Sequence, residues 1–344
     1  MLAQARALGR SSLRVRPRGG MMNAAMMSSA RLFSFVDELA DDKPALVQRC
    51  KETLRTLGGD DAYVKLHLPG PGSDATSANN ANAAILNGLT HCGVIEIHNP
   101  AARNALSGRM MAQLADIVTQ LEDPEVHKHI SVVVLRGTGG WFCAGADLRV
   151  AKEELSSRQG GSAMGAVMVD TLTRFRRLPI VSVAVVEGGA YGGGAELTTS
   201  CDFRILADNA VIQFVQSRLG VSPGWGGGAR LYKIVGRQHA LRLLCTAEKL
   251  TPARAVELGL VDSVYKNDGP GSCEAACIEF LKPFDIVSPE VSHGAKQVIT
   301  NADDVNLDEV LEFEHGVFTR LWGGPANIKA LEGALRKAKP NATK

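Results

Sequence analysis

Two apolar runs of strand length, residues 130–135 (ISVVVL) and 180–186 (IVSVAVV), constrain the fold of this chain most. Neither alternates polar with apolar side chains, so each must be covered on both faces, as strands in a helix-flanked parallel sheet are. Helical patterns lie between and around them. Ser107 is placed to cap a helix carrying Met110, Met111, Leu114, Ile117, Val118 and Leu121. Residues 162–177 predict a second helix, and 37–57 an earlier one with Leu39, Leu46, Val47 and Leu54 on its apolar face. Strand patterns at 62–68 (AYVKLHL) and 93–98 (GVIEIH) predict an antiparallel hairpin. Its long connection, 69–84, is rich in Pro, Gly, Asn and Ala and reads as a loop. Short strands follow at 203–207 and 211–215, and the chain from Leu231 onward reads as mostly helical. Alternating strands and helices define an α/β fold with a helical C-terminal region.

The chain has 344 residues, 45 % of them hydrophobic, enough for a sizeable core. No run approaches the roughly 18 uncharged apolar residues of a membrane span. Residues 1–36 hold Arg6, Arg10, Arg14, Arg16, Arg18 and Arg31 and no acid, which more than accounts for the formal charge of +2. The rest is net acidic, which argues against nucleic acid as a partner. The basic leader, rich in Ser, Ala and Met, reads as a mitochondrial or plastid transit segment, or else as a disordered basic tail. The expected organisation is a leader at 1–36, a core at 37–270 and a helical region of the same fold at 271–344. Seven scattered cysteines form no CxxC pair and no set of metal ligands, so reduced thiols and no metal are expected.

Each apolar run leads into a glycine-containing turn. The first reads Trp141-Phe142-Cys143-Ala144-Gly145-Ala146-Asp147-Leu148, the second Glu187-Gly188-Gly189-Ala190-Tyr191-Gly192-Gly193-Gly194-Ala195-Glu196. Small residues at strand ends let a ligand approach the backbone, at the end of an α/β sheet where ligands commonly bind. A helix starting near Gly193 leaves unpaired N–H groups with partial positive charge, suited to an oxyanion. A second donor from the first turn would complete an oxyanion hole, each donor contributing about 3 kcal/mol. A phosphate loop is excluded because GK[ST] is missing, and a dinucleotide fingerprint because GxGxxG does not open the first strand–helix unit. Tight strand–helix packing is the plainer use of such glycines.

Taken together, Asn99-Pro100 with Asn104-Ala105-Leu106, Ala144–Leu148, Gly192-Gly193-Gly194-Ala195-Glu196 and Pro223-Gly224-Trp225-Gly226-Gly227 resemble the crotonase, or enoyl-CoA hydratase/isomerase, superfamily over roughly residues 60–340. The resemblance implies a spiral core of ββα units and a coenzyme A thioester substrate with no separate cofactor. It also implies assembly as a homotrimer or homohexamer. It assigns the two oxyanion donors to the N–H groups of Ala146 and Gly193. Coenzyme A would pack along Ala144, Gly145, Ala146, Asp147 and Leu148, with Gly192 and Gly193 also in the substrate site; Trp225, between glycines, lines the acyl pocket or else is a core tryptophan.

Hydratases of this family use two glutamates around one water. Glu196 matches the first, but residues 212–219 (IQFVQSRL), where the second belongs, contain no acid, and Gln216 or Arg218 stands near its place. Residues 172–179 (LTRFRRLP), 195–204 (AELTTSCDFR) and 322–327 (WGGPAN) resemble the family's 2-alkylmalonyl-CoA decarboxylases, which act on ethylmalonyl-CoA and less well on methylmalonyl-CoA in metabolite repair. The resemblance therefore implies a decarboxylase, with hydratase or isomerase activity as the alternative. The connection at 69–84 reads as an insertion relative to these enzymes, whose cytosolic location contrasts with the basic leader. Glu196 is a candidate proton donor, or else caps its helix or forms a buried ion pair. Tyr191 is a weaker candidate donor, better suited to packing. Arg218 would reach a substrate carboxylate or else stay solvated.

A fusion of residues 1–36 to a fluorescent reporter should concentrate in mitochondria. Diffuse cytosolic fluorescence would remove the targeting assignment.

Overall fold

The structure, a computed structural model, describes residues 24–69 and 81–303. The first part of the basic leader, most of the 69–84 connection and the 322–327 motif lie outside the described residues. In chain order the first elements are α1 (Ala24–Leu32), α2 (Phe35–Glu38), α3 (Lys43–Arg55), β1 (Tyr63–His67), α4 (Ala81–Gly88) and β2 (Cys92–His98). Next come α5 (Gly108–Glu122), α6 (Pro124–His127), β3 (Val132–Gly137), α7 (Leu148–Glu153), α8 (Arg158–Arg177), β4 (Val181–Val186), β5 (Gly189–Tyr191) and α9 (Gly193–Thr198). The remainder is β6 (Phe203–Ala207), β7 (Val211–Gln213), α10 (Gly227–Thr246), α11 (Pro252–Glu257), β8 (Ser263–Tyr265), α12 (Ser272–Asp285) and α13 (Pro289–Ala302). A 3-10 turn at Val215–Leu219 links β7 to the 220–226 loop.

The main sheet has the order β1-β2-β3-β4-β6-β8. It is parallel throughout, except that β1 runs antiparallel to β2 from Tyr63↔His98 to His67↔Val94. A small parallel pair, β5 with β7, stands beside it. Apolar strands sit at the centre for the reason their sequence implies. Val132–Leu135 and Val183–Val186 are all at most 1 % exposed. Ser107 caps α5 by accepting from the Met110 N–H, and the six apolar residues expected on that helix are all buried. α3, α5 and α8 pack on one another, while α12 lies against α4, β3 and β8. Among the described residues no helix is long and apolar enough to cross a membrane.

Several boundaries differ from expectation. The 37–57 helix is split into α2 and α3, because Asp42 accepts from the Ala45 N–H and Pro44 sits in the first turn, the one place in a helix that tolerates it. Residues 81–84 of the expected loop belong to α4, where Ala83, Ile85 and Leu86 pack into the core. The Asn82 amide donates to Glu96, a carboxylate buried in β2 that also lies 2.7 Å from His67 Nε2. The 211–215 strand stops at Gln213, and β8 adds a short strand within the helical C-terminal part.

The largest correction concerns the leader boundary at residue 36. Phe33 and Val36 are buried with Cys50, Leu54 and Leu57 against Ala115, Leu155, Ala163 and Val167. Ser29 Oγ lies 2.9 Å from Ser157 Oγ. Residues 24–36 therefore belong to the folded body, since the apolar surface of α3 and α8 would otherwise face water. Phe33→Ala should destabilise the protein by about 3–5 kcal/mol, read from its urea midpoint, and removing 1–36 should do comparable harm. An unchanged midpoint in both variants would place residues 24–36 outside the fold.

Candidate active site

The turn after β3 is threaded between two other backbone segments. On one edge, the Cys143 N–H donates to Gly189 O (3.2 Å) and Cys143 O accepts from the Tyr191 N–H (3.0 Å). On the other edge, the Leu106 N–H donates to Gly145 O (2.7 Å) and Leu106 O accepts from the Asp147 N–H (2.9 Å). These last two bonds straddle Ala146, as in any parallel bridge. The N–H of Ala146 therefore points to the opposite edge, where residues 189–193 run. Gly145 makes the approach possible. Its φ is +95°, and a side-chain carbon there would lie 2.8 Å from Tyr191 O and 3.0 Å from Gly193 N.

The second turn ends in α9. Gly192, at φ +54°, donates its N–H to Gln213 O (2.9 Å), and its carbonyl accepts the first helical bond from the Glu196 N–H. Gly193 is thus the first helical residue, whose N–H has no partner within the helix. Ala146 and Gly193 are half-buried, whereas Gly145, Gly192 and Gly194 are buried. Trp225 is 3 % exposed and closes this region. A side-chain carbon on Gly193 would sit 2.3 Å from its indole ring, so residue 193 must lack one. The structure brings Ala144–Ala146, Gly192, Gly193, Glu196 and Trp225 together. Asp147 caps α7 by accepting from the Arg149 N–H (2.8 Å), and Leu148, 67 % exposed, projects outward.

Glu196 is 2 % exposed, and its oxygens are fully engaged. Oε1 accepts from Gln216 Nε2 (2.8 Å) and the Gly224 N–H (3.3 Å). Oε2 accepts from the Trp225 N–H (2.9 Å) and the Gly227 N–H (2.8 Å). All four partners are donors, so a proton on either oxygen would displace one of them. This pattern favours a tether between α9 and the 216–227 segment over the expected proton donor. Glu196 does not cap its own helix; its Oε2 instead takes the N–H of Gly227, the first residue of α10.

A residue absent from the sequence-based candidates completes the arrangement. Arg230 in α10 donates from Nη2 to Trp225 O (2.8 Å) and Glu196 O (3.4 Å), and from Nε to the Thr199 hydroxyl (3.1 Å). Burial pushes its pKa down to about 10, so it stays charged at neutral pH. Nothing in GGARL distinguishes this arginine from a surface one, because its acceptors are mostly backbone carbonyls. Arg218 donates to Ala247 O (3.1 Å), and the Tyr191 ring lies beside Trp141 and Gly189, as its packing reading implies.

Glu196→Gln should cost about 1–3 kcal/mol of stability, because its amide nitrogen would face an N–H donor at one of the two oxygen positions. A 100-fold fall in kcat in protein of unchanged stability would instead restore Glu196 as the proton donor.

Known proteins resemble this chain in sequence and in fold. Residues 90–339 match the family model described as enoyl-CoA hydratase/isomerase. An ethylmalonyl-CoA decarboxylase from Danio rerio is 43 % identical over 240 residues, 69 % of this chain and 78 % of that protein. One from Mus musculus is 40 % identical over 239 residues, 70 % of this chain and 73 % of that protein. Among solved structures, an enoyl-CoA hydratase from Bacillus anthracis superposes with a TM-score of 0.65 at 28 % identity, covering 73 % of this chain and 95 % of that one. Another from Thermoplasma volcanium gives 0.61 at 30 % identity, covering 70 % and 93 %. The chain belongs to the enoyl-CoA hydratase/isomerase, or crotonase, family.

Proposed function

We propose that this chain decarboxylates 2-alkylmalonyl-CoA thioesters, ethylmalonyl-CoA first and methylmalonyl-CoA second. The observation that carries the reading is the Gln216 amide on Glu196, in a segment, 212–219, that holds no acid where the hydratases of the resembled family need one, beside the adjoining turns of Ala146 and Gly193. Relatives named ethylmalonyl-CoA decarboxylase support it.

Loss of carbon dioxide leaves a thioester enolate, and no base has to remove a proton first. Ala146 and Gly193 hold the thioester oxygen and stabilise the charge that develops on it. The carboxylate leaves from a conformer that stands out of the thioester plane, so that the breaking bond overlaps the carbonyl π system. Coenzyme A runs along Ala144–Leu148, and Trp225 forms the wall beside the acyl chain. Glu196 positions: it fixes Trp225 relative to the helix that begins at Gly193. Protonation at carbon 2 completes the turnover, and no separate cofactor or metal takes part.

A hydratase reading draws on the names of the structural neighbours. The Gln216 amide on Glu196 counts against it, because hydration needs positioned proton transfers to both water and carbon. The wider setting is metabolite repair by a homotrimer or homohexamer in mitochondria. It is supported by the family resemblance for assembly and role, and by the five arginines ahead of residue 24 for location.

Mass spectrometry after incubation with ethylmalonyl-CoA, methylmalonyl-CoA and crotonyl-CoA separates the two readings. The expected product is butyryl-CoA, formed at an unchanged rate in the presence of a chelator. Crotonyl-CoA hydration faster than ethylmalonyl-CoA decarboxylation would overturn the assignment.

A further inference from the structure

The arm at residues 24–36 lies ahead of residue 90, where the family match begins, and it packs on α7 and α8, the two elements that border the candidate site. α7 starts directly after the first glycine turn, with Asp147 as its N-cap. α8 reaches the loop that carries Trp225, since a side-chain carbon on Gly165 would lie 3.3 Å from Gly224 O. The corner between the two helices, residues 154–157, has no regular structure of its own. It is seated on the arm.

Two kinds of contact seat it. Ser29, only 1 % exposed, accepts from the Ser157 N–H (3.3 Å), and its hydroxyl lies 2.9 Å from the Ser157 hydroxyl. Ser157 Oγ in turn accepts from the Gly160 N–H (2.9 Å) as the N-cap of α8. A hydroxyl of the arm thus stands behind the cap of the helix that meets the Trp225 loop. The approach is close, because a side-chain carbon on Gly160 would lie 2.7 Å from Ser29 Oγ. Leu155, in the corner itself, packs with Phe33 and Val36, and Val150 of α7 lies against the same cluster. Met164 of α8 packs both on this cluster and on the main core.

We propose that Ser29 and Phe33 are positioning residues for the coenzyme A thioester: the arm fixes the α7–α8 corner in the arrangement that receives the substrate. The inference rests on the thioester reading above. With the arm seated, the corner is ordered before the substrate arrives, and binding carries no further ordering cost. With the arm loosened, only a fraction of the molecules present the competent corner, and the apparent affinity falls by that fraction. The two glycine turns are held separately, by the bridges at Leu106–Ala146 and Cys143–Ala190, so the rate of the bound complex is left as it is. The coupling is reciprocal, so a bound thioester tightens the corner in return.

The test combines KM and kcat on ethylmalonyl-CoA, butyryl-CoA affinity by calorimetry and amide exchange over residues 148–160, at a temperature where every variant is folded. Ser29→Ala should raise KM and the butyryl-CoA Kd about fivefold, the effect of one lost hydrogen bond, and leave kcat within about twofold. Exchange over 148–160 should quicken in this variant and slow again when butyryl-CoA is added. Phe33→Leu should shift KM and Kd in the same direction, and it serves alone if the Ser29 variant does not fold. Ile85→Ala, in the core contact of α4, is the control for lost stability: it should lower the melting temperature at least as far and leave KM unchanged. Unchanged KM and Kd in the folded arm variants overturn the proposal. So does a rise in KM with Ile85→Ala as large as theirs, or a fall in kcat without a rise in KM. A fivefold Kd shift without release of carbon dioxide supports the arm and removes the decarboxylase reading alone, whereas no binding of butyryl-CoA by unmutated protein removes the thioester reading and the role of the arm together.

Discussion

Four N–H groups converge on the carboxylate of Glu196, and the shape of the candidate site follows from that convergence. Three are backbone donors of the 224–227 loop and one is the side chain of Gln216. A carboxylate removed from water needs such partners, and hydrogen bonds to a charged acceptor are stronger than neutral ones. The loop has no regular structure of its own to hold it. It is held because its donors and the acceptor satisfy each other one helical turn from Gly193. Arg230 grips the carbonyls of Glu196 and Trp225 from below, so both residues are fixed at the backbone as well.

The sheet supplies the other half of the geometry. β3 and β4 are adjacent and parallel, so the turns that follow them leave from the same edge. The small β5–β7 pair and the bridges at Leu106–Ala146 and Cys143–Ala190 then hold the two turns side by side. The direction of the Ala146 N–H is a consequence of these ladders, and that of Gly193 of its place at the start of α9. A parallel bridge uses the groups on either side of a residue and leaves that residue's own N–H facing the other way.

Much of this was readable from the amino-acid sequence, and the rest was hidden for identifiable reasons. Val132–Leu135 and Val183–Val186 announce buried strands because period-2 alternation is absent, and Ser107 announces a helix start because its hydroxyl can reach Met110. The glycine turns were visible, but the N–H partners of Glu196 were not, since backbone donors look alike at every position. Phe33 and Val36 were obscured by the arginine-rich composition around them, which describes residues 1–36 as a whole and says nothing of two apolar side chains that pack. The helix α4 was obscured in the same way by the asparagines and alanines of ANAAILNG, although Ile85 and Leu86 supply its buried face. Glu196 itself was legible as a residue of the site; its tethering role depends on contacts 20 to 31 positions away along the chain.

The close approach of Trp225 to Gly193 has a consequence for how such a protein can diverge. A side-chain carbon at position 193 would strike the indole, and the backbone N–H of Trp225 is anchored by the carboxylate that stands on the Gly193 helix. Gly193 is therefore fixed for as long as the indole stands against it, and a larger side chain at 225 would press on the turn that carries its N–H donor. The evolvable positions are those attached to neither turn. Inheritance of the chemistry and inheritance of one wall of the pocket are bound together, and variation in chain preference has to accumulate on the remaining walls.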